Sequence, residues 1–270
     1  MPERDAHSDD LALLTEAALA AGKIAERYYR QDVKVWDKGD GQGPVTEADL
    51  AVNAHLHATL TAARPGYGWL SEESNPLGDL SRLGHETCFV IDPIDGTRAF
   101  LDGQPGFAHA LAVIHKGQPV AAVVYLPMLS LTYAARLGGG ATLNGEPLAA
   151  STRAQATAAQ VLITRPAMDP VHWPGGVPDI TRAFRPSLAW RLALVGEGRF
   201  DALVTIRNTW DWDIAGAALI ATEAGAVVTD RHGKPLRFNR ADAHNAGVVA
   251  AGPAVHADLM AGLTGPQGAA

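Results

Sequence analysis

The 270-residue chain has one cysteine, Cys88, which excludes a disulfide framework and a cysteine-based metal site. Cys88 lies in an apolar run and is expected as a small core residue. Long apolar runs are also missing: none approaches the roughly 20 residues of a membrane-spanning helix, so no membrane partner is expected. The first residues, "MPERDAHSDD", lack the basic start and apolar centre of a secretory signal, so a cytoplasmic location is expected. Basic residues are outnumbered by acidic ones, 22 to 29, for a formal net charge of -7. That balance argues against a general nucleic-acid surface, although a local basic pocket is compatible with it. His55, His57, His85, His109 and His115 show no zinc-ligand spacing and read as packing residues. What the chain does have is 47 % apolar residues, enough at this length for a substantial core.

Ser8 followed by Asp9 and Asp10 resembles an N-cap with an acidic first turn, and Leu11, Leu14, Ala18, Ala21 and Ala25 recur at helical spacing, predicting a helix over 9–30. A Gly- and Asp-rich stretch from Trp36 reads as irregular. A second helix is expected from near Asp49, with Val52, Leu56 and Leu60 on one stripe. From "ETCFVID" onward, short apolar runs broken by Lys116-Gly117 and Asn144-Gly145 predict an antiparallel meander. After about residue 150 strands ("AQVLITRP", "FDALVTI", "GAVVTD", "AGVVAAG") alternate with helices ("SLAWRLALVGEG", "DIAGAALIATEAGA", "AVHADLMAGL"). The shift near "LNGEPLAAS" divides an α+β half, 1–148, from an α/β half, 149–270, and "TGPQGAA" reads as a frayed end.

Four acidic spots stand at element boundaries beside turn residues or tryptophan: Asp49 in "PVTEAD", Glu72 and Glu73 in "LSEES", Asp92 and Asp95 in "DPIDGT", and Asp213 in "WDWDIAG". Singly, each has a plain alternative: helix caps for Asp49 and Asp213, a solvated loop for the glutamates, a proline turn for Asp92 and Asp95. Together they read differently. Two carboxylates about 4 Å apart repel by about 4 kcal/mol at an effective dielectric near 20, so a fold that gathers several must protonate some or supply cations. Oxygen ligands without a His or Cys cluster favour Mg2+ over zinc. Gly96 and Thr97 follow at once, and a glycine leading into a helix leaves backbone N–H groups for an anion. Metal plus anion points to phosphate chemistry.

In the segments "VTEAD" (45–49), "SEES" (71–74), "DPIDGTRAF" (92–100), "GGGATLNGEPL" (138–148), "SLAWRLALVGEGRFD" (187–201) and "WDIAGAALIATEAG" (212–225), the chain resembles the inositol monophosphatase superfamily, the lithium-sensitive, magnesium-dependent phosphatases. The resemblance implies an α/β fold, a layered α-β-α-β-α sandwich, and a homodimer. It implies two or three Mg2+ ions on Glu72, Asp92, the Ile94 carbonyl, Asp95 and Asp213, with Asp92 bridging two of them. Gly96 and Thr97 would bind the phosphate of a small phosphorylated substrate. Asp49, Thr97 and Glu72 form the implied catalytic set, with Thr97 and Asp49 orienting and deprotonating the attacking water, and Lys38 matches a basic residue near the site. Glu73 is expected to give hydrogen-bond support and not to bind metal. Two ions about 3.5 to 4 Å apart would activate water on one side and stabilise the leaving alkoxide on the other. The haloacid dehalogenase class also follows a strand with Asp, Asp, Gly and Thr, but its aspartates are two apart and one becomes phosphorylated. Here they are three apart with Pro93 between, so no aspartyl adduct on Asp92 is expected with a phosphate mimic.

Inositol-specific members resemble one another in a glutamate seven residues before the Asp213-type ligand; this chain has Ile206 there and Arg207 beside it. "SLAWRLALVGEG" is similar to the bacterial 3'(2'),5'-bisphosphate nucleotidases, although Pro186 stands where many of those have glycine. Ser187, Arg191 and Arg207 join Lys38 as substrate-binding candidates, since a guanidinium suits a second phosphate. The expected substrate is therefore adenosine 3',5'-bisphosphate, cleaved at its 3'-phosphate. Inositol 1-phosphate and histidinol phosphate are the alternatives within the chemistry, and a regulatory binding protein that retains the fold is the alternative outside it.

Overall fold

In the computed structural model, residues 2–39, 43–74 and 78–265 are described, 2–7 by backbone alone. Part of the irregular stretch after Trp36 and most of "TGPQGAA" lie outside the described residues.

Along the strand Thr87–Asp95, Phe89 and Ile91 face one side and Cys88 and Val90 the other, and all four are buried. A strand apolar on both faces must be covered on both. It belongs to a seven-stranded sheet whose strands follow chain order: Gly68–Ser71, Thr87–Asp95, Ala108–His115, Gln118–Leu126, Leu131–Arg136, Ala141–Leu143 and Glu146–Pro147. The first pair is parallel and the rest form the expected antiparallel meander. Lys116 and Gly117, at φ 49° and 80°, and Asn144 and Gly145, at φ 51° and 88°, make the tight turns with the positive φ that two-residue hairpins require.

On the Phe89 face lie α1 (Pro2–Tyr28) and α2 (Glu47–Ala63), which contribute Leu14, Ala18, Ala21, Val52, Leu56 and Leu60. Both begin earlier than expected. No breaker stands between Pro2 and Ser8, and Pro2 suits a first turn that lacks N–H partners, so Ser8 lies inside α1 and is not its N-cap. For α2 the cap is Thr46, and Asp49 is the third residue in.

Beyond the Cys88 face run α4 (Leu188–Gly196) and α5 (Asp211–Glu223), the short α3 (Thr97–Leu101) having closed the end of the central strand. A five-stranded sheet covers them in turn, in the order Ile180–Ala183, Ala159–Ile163, Ala202–Thr205, Val248–Ala251, Val227–Thr229. Only Val248–Ala251 runs against the other four strands, pairing antiparallel on both sides, so the alternating pattern of the second half gives a mixed sheet. Finally α6 (Pro253–Thr264) packs Val255 and Leu259 on the outer face with Val161, Val204 and Val249. The layers are α-β-α-β-α. One apolar cluster joins Val90 and Val124 of the first sheet, Leu192 and Ile214 of the helices, and Leu162 and Leu203 of the second sheet, so the two halves share a core. Among the described residues no helix is long and apolar enough to cross a membrane.

Candidate active site

The site begins where the central strand stops being regular. Its pairing with Ala108–His115 runs one residue for one as far as Asp92 opposite Ala110, then resumes with Asp95 opposite Ala108. Pro93 and Ile94 therefore share the place opposite His109, a β-bulge that re-aims the flanking side chains. Gly96 then takes φ 97°, a left-handed conformation that a side chain would strain, and Thr97 opens α3.

Asp92, Asp95 and Asp213 each bring a carboxylate oxygen within 4.8 Å of the others. Asp92 and Asp95 come from the bulge and Asp213 from the first turn of α5, across the shared core. Burial, then the charges of Glu72, Asp95 and Asp213, holds the Asp92 carboxyl well above the usual range. Asp213 is raised likewise, by burial, Asp95 and Glu72, with Arg207 and Arg191 opposing. Asp95 is raised by burial against the hydrogen bonds it accepts. Asp92 Oδ1 is buried with no hydrogen-bond partner among the described residues. A buried acceptor without a donor, inside a group of mutually repelling carboxylates, fits a hard cation.

On the adjoining wall Asp49 is fully buried. Its Oδ2 accepts from the Thr46 N–H at 2.9 Å and the Thr46 hydroxyl at 2.5 Å, and the Asp49 N–H donates back to the Thr46 hydroxyl oxygen at 3.4 Å, completing a capping box that fixes the carboxylate. That leaves Oδ1 for the Thr97 hydroxyl at 3.3 Å, which also lies 3.2 Å from the Ile94 carbonyl. Burial pushes the Asp49 carboxyl up to about 6, despite the Thr46 hydrogen bonds. Asp49 is thus not the cap of the plain reading but the third-position partner of the cap Thr46, and it faces the site through the Thr97 hydroxyl. Lys38 Nζ contacts Glu72 Oε1 at 2.8 Å and Glu73 Oε1 at 2.7 Å. Burial alone would lower the Lys38 ammonium, but the two glutamates outweigh it and raise it. Glu73 rises to about 7 because burial exceeds the pull of Lys38. Lys38 therefore bridges the two glutamates at the edge of the carboxylate group.

The substrate-binding candidates separate. Ser187 is fully buried and donates to Asp95 Oδ2 at 2.5 Å, with the Ala189 N–H on the same oxygen at 2.6 Å. In this position Ser187 braces a carboxylate of the cluster and, accepting from the Trp190 N–H at 2.9 Å, caps α4. Arg191 is 6 % exposed, its Nε on the Ser187 carbonyl at 3.2 Å and its guanidinium 5.0 Å from the Phe184 ring centroid. Arg207 is exposed, and Ile206 is half-buried. Pro186 lies against Gly106, where an added Cβ would meet the proline Cγ at 3.0 Å.

Thr46, although the cap expectation falls on Asp49, was legible in the sequence, since a threonine three residues before an acid at a helix start is a capping signal. The Ala189 N–H was not, because 94 residues separate it from Asp95 and a backbone donor carries no residue signature.

This chain is similar to the 3'(2'),5'-bisphosphate nucleotidase CysQ of Haemophilus influenzae, with 30 % identity over 238 residues, covering 83 % of this chain and 85 % of that protein. It is 32 % identical to the inositol-1-monophosphatase of Mesorhizobium japonicum over 243 residues, 84 % of this chain and 88 % of the relative. The crystal structure of the extragenic suppressor protein suhB from Bartonella henselae superposes with a TM-score of 0.80 at 28 % identity, covering 96 % of this chain and 99 % of that one. Residues 7–265 match the inositol monophosphatase family, and the chain belongs to that family of phosphomonoester hydrolases.

Proposed function

We propose that the chain is a Mg2+-dependent phosphomonoesterase that removes the 3'-phosphate of adenosine 3',5'-bisphosphate, a small nucleotide and not a nucleic acid. Asp92, Asp95, Asp213, Glu72 and the Ile94 carbonyl are the groups to hold two or three ions. Bound there, Mg2+ supplies Lewis acidity, lowering the pKa of the attacking water and neutralising charge on the phosphoryl oxygens and the leaving alkoxide. The chain's own residues do the rest. Gly96 and Thr97 receive the phosphate at the start of α3. The Thr97 oxygen orients the water and passes its proton to Asp49 Oδ1, a carboxylate held by Thr46 on its other oxygen and raised toward neutrality by burial.

The observation that carries the substrate assignment is the pair Arg191 and Arg207. Both guanidinium groups act on Asp213; burial lowers Arg191, Asp95 opposes this, and Arg207 lowers it further by repulsion. Two cations beside a phosphate site, with Ile206 in place of a sugar-binding glutamate, favour a substrate with a second phosphate over a polyol. Arg207→Ala should lower kcat/KM at least about tenfold on adenosine 3',5'-bisphosphate and much less on adenosine 3'-monophosphate, a bidentate ion pair being worth about 1.5–3 kcal/mol. Equal losses on both substrates would remove Arg207 from recognition. The homodimer belongs to the same proposal and is tested by sedimentation equilibrium; a monomer at micromolar concentration would refute it.

A further inference from the structure

We propose that His109 is a positioning residue for the cation site, acting through the Pro93 carbonyl to fix the bulge that aims Asp92 and Asp95. The inference rests on the metal-site assignment above.

A β-bulge leaves one extra residue without a ladder partner. Here that place holds Pro93 and Ile94 opposite His109. Proline has no N–H to donate, and its carbonyl, drawn out of the ladder in a buried strand, needs a donor. The His109 ring supplies it: Nδ1 hydrogen-bonds the Pro93 oxygen. A carbonyl only accepts, so Nδ1 carries the proton and Nε2 the lone pair.

Nothing else accounts for a histidine at this position. It is fully buried, on a strand whose neighbours Phe107, Ala108, Ala110 and Leu111 are apolar. The Phe107 and Tyr125 rings flank it, with centroids 6.2 Å away in each case. Its Nε2 has no partner among the described residues. A leucine would carry no such unpaired nitrogen, so the Nδ1 bond is what offsets it. Burial also lowers its pKa to about 4, so the ring stays neutral near pH 7 and adds no charge to the site.

The consequence is geometric. Asp92, the Ile94 carbonyl and Asp95 all lie within one residue of Pro93 or within the same bulge, and the next group along, Gly96, takes φ 97°. Without the Nδ1 bond, the Pro93 peptide is free to rotate toward another donor, and its neighbours turn with it.

The test is equilibrium Mn2+ binding without substrate, read from the electron paramagnetic resonance signal of free Mn2+, alongside kcat and KM. His109→Leu removes the donor at similar volume; His109→Asn places its Nδ2 where Nδ1 stood. His109→Leu should weaken Mn2+ binding by about tenfold or more and lower kcat more than it raises KM, as loss of an outer-shell partner does. His109→Asn should recover Mn2+ binding to within about threefold of the natural protein. If His109→Leu binds Mn2+ like the natural protein, or His109→Asn binds as weakly as His109→Leu, the proposal is wrong. Should His109→Leu not fold, His109→Asn decides alone: Mn2+ binding kept within that range supports the proposal, and weaker binding overturns it. Asp95→Asn separates the two levels, because unchanged Mn2+ binding there would remove the metal assignment itself.

Discussion

Asp92 shows what a single residue costs and does. Its carboxyl is buried, unpaired at Oδ1 among the described residues, and under the charges of Glu72, Asp95 and Asp213. An acid whose folded pKa is raised binds a proton more tightly in the native state than in the unfolded chain, so its contribution to stability falls as pH rises above its ordinary value. In metal-free protein at pH 7.5, Asp92→Asn should therefore raise Tm by about 2–4 °C for each kcal/mol of relief at this chain length. The same variant should lose at least about a thousandfold in kcat, and 10 mM-class Mg2+ additions, on the order of saturation, should raise Tm in the natural protein but not in the variant. Differential scanning fluorimetry with and without EDTA reads both effects; a variant that is less stable without metal would contradict this picture. The identity of these acids was legible because carboxylates at turn and helix boundaries stand out from an apolar background. What Asp92 lacks, a donor for Oδ1, is visible only once the fold surrounds it.

Among the elements, α4 does work that its sequence concealed. Its periodicity predicted a helix, and the helix is there, but its first turn grips Asp95 through Ser187 and the Ala189 N–H. A helix N-terminus favours an anion, so this grip opposes the burial that raises Asp95. Ser187→Ala should cost about 1–2 kcal/mol in urea unfolding, from the lost cap. It should also raise the Mg2+ concentration for half-maximal activity by about tenfold, since Asp95 loses a brace. A cost in stability with unchanged Mg2+ dependence would leave Ser187 a cap alone. The other differences from the sequence reading have similar causes. Ser8 mimics a cap but nothing before it stops the helix, whereas Thr46 has both its reciprocal bonds with Asp49. The turns at Lys116-Gly117 and Asn144-Gly145 were read correctly because positive φ leaves a local signature. The strand Ile180–Ala183 was missed, since its residues are half-buried or exposed and carry little apolar pattern.

For the whole molecule, the shared core ties the site's two sources together: the bulge of the first sheet and the first turns of α4 and α5 meet because both sheets pack on those helices. In α5, Gly216 allows the close approach, since a Cβ there would sit 3.1 Å from the Leu111 carbonyl oxygen. Global stability should also carry the mark of His109, whose pKa drops from 6.5 to about 4 on folding. Between those values the unfolded chain takes up a proton that the native ring refuses, so stability falls as pH falls, opposite in sign to the raised carboxylates. The difference between the natural protein and His109→Asn isolates it. Relative to that variant, the natural protein should lose up to about 3 kcal/mol from pH 6.5 to 4, at about 1.4 kcal/mol per unit. A constant difference across that range in urea unfolding would mean that the ring is charged in the native state or reaches solvent.

The layered fold was legible only through the family resemblance, the strand and helix pattern being compatible with it, while the acidic cluster stood out in the residues themselves; a pocket's preference depends on a few side chains such as Ile206 and Arg207 and leaves less of a mark. The direct measurement is kcat/KM at fixed saturating Mg2+ for adenosine 3',5'-bisphosphate, inositol 1-phosphate and histidinol phosphate, with an EDTA control. The bisphosphate should be preferred by at least about tenfold, with turnover abolished by EDTA. A higher kcat/KM for inositol 1-phosphate, or turnover that survives EDTA, would contradict it.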